Sequence, residues 1–126
     1  MKLLLATHAF VWAIAQPRLL SRRAAAMIED RGNTILVSAV CVYEIEFRRL
    51  RDPLLAALPA DLGEAVGLAG YEWLALTPAH AALAGRLPRL SGDPFDRMLA
   101  AQGLIEPASL VTKDPAVGAY GAVVIW

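Results

Sequence analysis

The sequence predicts an α/β protein, a parallel sheet flanked by helices, and three observations carry that expectation. Short apolar runs such as Leu3-Leu4-Leu5 and Thr34-Ile35-Leu36-Val37 recur along the chain. Stretches with helical periodicity separate them. Capping residues, often followed by proline, stand where one kind of segment gives way to the other. Strands separated by helices of about ten residues favour parallel pairing.

The run at 2–5 reads as a buried strand leading into a helix over 7–15, which Gln16-Pro17 ends. A second helix is expected over 21–31, with Ser21 as N-cap and Gly32 just past its end. The β-rich run 34–37 follows, and Ser38 can cap a helix over 39–50. Residues 54–58 and 61–69 read as short helical pieces separated by Pro59. A short strand at 73–76 precedes a helix from Pro78 to 87, and a further helix spans 94–102, closed by Gly103. Runs at 110–112 and 123–125 complete the strands.

Composition narrows the class. A chain of 126 residues suits one domain, 1–126, and 57% hydrophobic against 19% charged residues marks a globular chain rather than a disordered one. Twelve basic residues balance twelve acidic ones, which leaves no electrostatic footprint for tight duplex binding. So neutral and apolar a chain has little charge repulsion to oppose association, and a partner or homodimer is expected. The single cysteine, Cys41, excludes an internal disulfide and a thiolate metal cluster and reads as a core residue. The N-terminal run is neither a secretory signal nor a membrane span, so a cytoplasmic protein with no membrane partner is expected.

In a parallel sheet, ligands bind along the carboxyl edge, so the acidic residues after strands are the ones to watch. Glu44 lies in the helix after the second strand, with Val40 and Phe47 on its face. Asp93 and Asp96 bracket a proline and a phenylalanine in GDPFDRMLAAQG, and Asp114 follows the 110–112 strand in VTKDPA. Such a set, without thiolates or paired histidines, suits a hard cation such as Mg²⁺ or Mn²⁺. That ion can activate water against a phosphodiester. Each acid also has a local explanation. Asp93 and Asp114 precede prolines as N-caps do, Asp96 falls at N3, and Glu44 can pair with Arg48 one turn on. Of the histidines, His80 reads as partly buried or surface, and His8 as a packing or capping residue near the acids. Arg48, Arg49 and Arg51 read as a solvated helix face. Trp12, Trp73 and Trp126 read as core or interface.

Four segments, LLLATHAFVWA, VSAVCVYEIEF, GDPFDRMLAAQG and LVTKDPAV, together resemble the PIN-domain toxins of VapC type, over essentially the whole chain. The resemblance implies a PIN-like three-layer sandwich. It further implies a Mg²⁺- or Mn²⁺-dependent endoribonuclease acting on structured RNA, tRNA or rRNA, as the toxin of a type II toxin–antitoxin pair. A VapB-type antitoxin would silence it and supply the only contact with DNA, and homodimers are common in the family. Position by position, Glu44, Asp93, Asp96 and Asp114 match the family's acids. The family's aspartate before Thr-His is replaced by Ala6, which removes one metal ligand and implies a strongly impaired nuclease. Ser91-Gly92 stands where a histidine often precedes DPFD, a lesser departure. Two accounts of Ala6 stay open: an aspartate replaced in an otherwise intact site, or a PIN module that binds antitoxin or RNA without cutting. A PIN nuclease of RNA processing or DNA repair is a third reading, disfavoured by the small size.

Overall fold

The structure, a computed structural model, describes residues 1–90 and 92–126, so Ser91 of the Ser91-Gly92 departure lies outside the described residues. The strand β1 (Lys2–Leu5) buries Leu3, Leu4 and Leu5 completely. A strand apolar at consecutive positions has both faces covered, which places it inside a sheet rather than at its edge. It pairs in parallel with β2 (Thr34–Ser38) on one side and β4 (Ser109–Val111) on the other. The strands β3 (Glu72–Leu74) and β5 (Val124–Ile125) add outside these, giving the parallel order β3-β2-β1-β4-β5.

The connecting helices follow the expected caps with shifted ends. They are α1 (Thr7–Ala15), α2 (Arg22–Glu29), α3 (Ala39–Arg48), α4 (Pro53–Ala56), α5 (Leu62–Ala69), α6 (Pro78–Arg86) and α7 (Pro94–Ile105). Ser21 caps α2 by accepting the Ala24 N–H at 3.0 Å. That helix stops at Glu29, two residues short of the expected end, because Asp30 folds back to accept the Gly32 N–H at 2.8 Å. Two 3-10 helices, Pro17–Leu19 and Pro115–Tyr120, were not legible from periodicity, and each opens on a proline.

Gly103 does not close α7; the helix runs through it to Ile105. Its role is close approach: a Cβ there would lie 3.2 Å from the Ala108 carbonyl oxygen and 3.4 Å from Leu110 Cγ. Alanine is the better helix former, yet Gly103→Ala is expected to destabilise by about 1 kcal/mol, because α7 must lift from β4. Urea unfolding measures this, and a stabilised variant would show that the contact yields.

Three further expectations change with packing. His80 is fully buried, not partly exposed. Its Nδ1 accepts the Thr77 N–H at 3.0 Å while Nε2 lies 2.7 Å from Glu106 Oε2, so one ring caps α6 and ties it to the end of α7. Phe47 does not share the buried stripe of Glu44 but points outward, 70% exposed, stacked on Tyr43. For Trp73 the core alternative drops out, since it stands 46% exposed on the edge strand β3, and the interface alternative remains. Cys41 is a core residue as expected, and burial pushes its thiol up to about 11. Among the described residues no helix is long and apolar enough to cross a membrane.

Candidate active site

The strand order has one reversal. From β1 the chain builds β2 and β3 on one side, then crosses back to build β4 and β5 on the other. The crevice between the carboxyl ends of β1 and β4 is therefore the topological switch point, where open parallel sheets bind ligands. Ala6 lies there, its N–H donating to the Val111 carbonyl at 3.0 Å. A cavity of about 350 Å³ opens at this point, and its walls include Ala6, Glu44, Asp93, Asp96 and Asp114, all five positions nominated from sequence.

Each acid arrives by a different local device. Glu44 sits on the inward stripe of α3 with Val40, Cys41 and Ile45, almost wholly buried. The Thr7 hydroxyl donates to its Oε1 at 2.6 Å, and Arg48 NH1 lies 3.0 Å from its Oε2. Asp93 caps α7 by accepting the Phe95 N–H at 2.9 Å, with Pro94 next, and this puts Asp96 in the first turn. Asp114 caps the 3-10 helix after β4 by accepting the Ala116 N–H at 2.9 Å. The capping readings of Asp93 and Asp114 are thus correct, and capping is also what aims the acids at one cavity.

Electrostatic tension concentrates on Asp96. Burial, then the nearby carboxylates of Asp93, Asp114 and Glu44, raise its carboxyl to about 6, against the opposing pull of Arg48. The folded chain therefore holds this proton more tightly than the unfolded chain, whose aspartate has the ordinary value of 3.8. Stability contributed by the protonated group is lost as pH rises through about 6. In EDTA, Asp96→Asn is expected to raise stability at pH 7.5 by about 1 kcal/mol, after allowance for solvent screening, and to change nothing at pH 3.5. Thermal melts at the two pH values check this; an equal gain at both would point to packing instead of charge.

Besides Asp52, the N-cap of α4, which also lines the cavity, two contributors escaped the sequence reading. Thr7 orients Glu44, and Thr112 lines the cavity while accepting the Asp114 N–H at 3.1 Å. Both directly follow a strand end or its cap, which is the signal that could have found them. Arg48 is drawn into the cavity wall by Glu44 and is not merely a solvated face. His8 packs as expected: burial pushes its imidazole below the ordinary value, Asp114 pulls the other way, and Lys113 adds to the lowering.

The donor chemistry, carboxylate oxygens without thiolates, is that of a Mg²⁺ or Mn²⁺ site. The geometry of this chain does not complete one. Among the described residues no three acidic, histidine or cysteine side chains come close enough to hold a metal ion. The methyl group of Ala6 occupies the strand-end position between the acids of α3, α7 and the loop after β4.

Comparison with known proteins agrees with this architecture. The chain is 32% identical over 117 residues to Ribonuclease VapC22 of Mycobacterium tuberculosis, covering 88% of this chain and 85% of that protein. Among solved structures, VapBC2 from Rickettsia felis, bound to a DNA fragment from its promoter, superposes with a TM-score of 0.71 at 17% identity, over 99% of this chain and 98% of that one. FitAcB from Neisseria gonorrhoeae superposes at 0.68 and 19% identity, over 98% and 96%. At those identities the structural likeness is one of fold. The PIN-domain profile matches residues 3–122, nearly the whole length, and the chain belongs to the PIN-domain family, with its VapC-type members.

Proposed function

We propose that this chain is the toxin of a type II toxin–antitoxin pair, a Mg²⁺- or Mn²⁺-dependent endoribonuclease for tRNA or rRNA, carried here in a form disabled at position 6. The observation that carries this reading is the cavity itself: Glu44, Asp93, Asp96 and Asp114 reach it from three separate elements, and a strand-end alanine faces them. With an aspartate at position 6, that residue, Glu44, Asp96 and Asp114 are the donors for the cation, and Asp93 shapes the first turn of α7. The ribonuclease name of the 32% identical relative supports the activity.

The toxin–antitoxin pairing of the Rickettsia felis structure, with its DNA, supports a VapB-type partner that makes the DNA contact. The outward Tyr43–Phe47 stack is apolar surface of the kind that a second copy or a partner covers. The working unit is the one domain 1–126, acting in the cytoplasm.

A second reading has one observation in its favour. Since no three donors converge among the described residues, the chain can serve as a non-catalytic module that binds antitoxin or RNA. Purified tRNA and rRNA incubated with the chain and with Ala6→Asp, in Mg²⁺, Mn²⁺ or EDTA, separate the two. Metal-dependent cleavage by the variant alone supports the toxin. Inertness of both, with both folded, leaves the binding module. Cleavage of DNA flaps in preference to RNA would move the chain to the repair class.

A further inference from the structure

His8 and Trp12 line the acidic cavity and also a second, more open depression of about 320 Å³, which they share with Lys113, Asp114 and Pro115. The two hollows meet along His8, Trp12 and Asp114. Behind this shared wall the rings form a rigid cluster. His8 meets Trp12 edge-on at 5.0 Å and Trp126 at 5.9 Å, and the two tryptophans lie 5.8 Å apart. Trp12 and Trp126 pack against the core on one side while remaining only partly buried. The His8 ring is also pinned, since its Nε2 accepts the Lys113 N–H at 3.0 Å. The Lys113 ammonium is exposed and lies 6.0 Å from the Trp12 ring centre.

An aromatic surface held in place beside an exposed ammonium is the chemistry of a nucleotide subsite. Flat bases stack on such rings whatever their sequence, and the cation meets the phosphate. A basic peptide could stack on Trp12 as well, but Lys113 already stands over that ring and would repel it. Because the rings are already ordered, little freedom is lost when a base arrives.

We propose that Trp12, His8 and Lys113 form the subsite for the RNA nucleotide adjoining the scissile phosphodiester, with its base on Trp12 and its phosphate at Lys113. The inference rests on the ribonuclease reading and deepens it. It assigns to Trp12 a binding role beyond packing, and it makes the loop after β4 bifunctional, with Asp114 facing the acids and Lys113 the strand of RNA.

The test uses the chain as it stands, with Ala6, and a short single-stranded RNA followed by fluorescence anisotropy. Trp12→Leu should weaken binding about tenfold, and an abasic nucleotide at the contacted position should weaken the parent by a similar factor. The two losses should not add. Trp12→Phe should restore most of the affinity, and Trp73→Leu, on the far edge strand, should leave it unchanged. Lys113→Gln changes an exposed side chain and should lower the salt slope by about one released ion. Measurable RNA binding by the parent with no change in Trp12→Leu, both folded by circular dichroism, overturns the subsite. If Trp12→Leu does not fold, an unchanged salt slope in Lys113→Gln overturns it alone. Failure of the parent to bind any RNA overturns the subsite, while RNA cleavage by Ala6→Asp decides the ribonuclease reading separately. Loss confined to binding of an arginine-rich peptide, with RNA affinity intact, would reassign the surface to a protein partner.

Discussion

Ala6→Asp is expected to cut structured RNA in Mg²⁺ or Mn²⁺ at least about 10²–10³-fold faster than the parent chain, the scale on which loss of one positioned catalytic element is felt. The same substitution should have a signature in stability. A further carboxylate in this cavity faces Asp96, which burial and the neighbouring carboxylates already hold near 6 against the pull of Arg48. In EDTA the variant should therefore be less stable than the parent by about 1 kcal/mol, roughly 4 °C in Tm for a domain of this size. Divalent cation at about a hundred times its Kd should then add about 2.7 kcal/mol to the variant and little to the parent. Differential scanning fluorimetry with and without Mg²⁺ measures both effects without reference to any RNA. A variant that is neither destabilised in EDTA nor stabilised by Mg²⁺ or Mn²⁺ would mean that position 6 does not face the acids as the cavity requires.

His80→Ala should cost about 3 kcal/mol, a fall of about 10 °C in Tm, although His80 has no part in the active site. The side chain is fully buried, and its removal opens a cavity between α6 and α7. It also strands the Thr77 N–H at the start of α6 and the Glu106 carboxylate at the end of α7. Since Nδ1 is an acceptor, the proton belongs on Nε2, which donates to Glu106. Glu106→Gln keeps an acceptor on a chain of equal length and should cost under about 1 kcal/mol. Thermal unfolding at pH 7.5 compares them. Equal losses in the two variants would mean that the carboxylate charge, rather than the buried ring, holds the helices together.

The fold class was legible in the sequence, and so was the placing of the candidate acids at one cavity, for a physical reason visible in particular residues. Asp93, Asp114 and Ser38 act on N–H groups two residues away, so their capping roles are written in neighbouring letters such as DP. Leu3-Leu4-Leu5 announces a strand covered on both faces without reference to what covers it. Asp96 stood out because an acid in the first turn of a helix faces the carboxyl edge of a parallel sheet, and Glu44, further into α3, because it is an acid on a partly apolar stripe. These are short-range facts of capping, period and strand polarity, and the sequence by itself determined them.

Tertiary structure alone decided the rest. That β1 lies between β2 and β4, which makes Ala6 face the switch-point crevice, depends on long-range pairings, the one with β4 joining Leu3 to Ser109. Gly103 reads as a helix terminator until β4 packs close enough to forbid a side chain there. His80 reads as a partly buried or surface residue on a small-residue helix until packing against α7 buries it and brings Glu106 to its ring. The tension on Asp96 comes from burial first, then from Asp93 beside it and from Asp114 and Glu44 brought in by the fold, and the nearness of Trp12 to Trp126 is likewise a product of packing. Burial and electrostatic shifts measure what surrounds a group, and for these residues the surroundings are assembled only when the sheet closes its order.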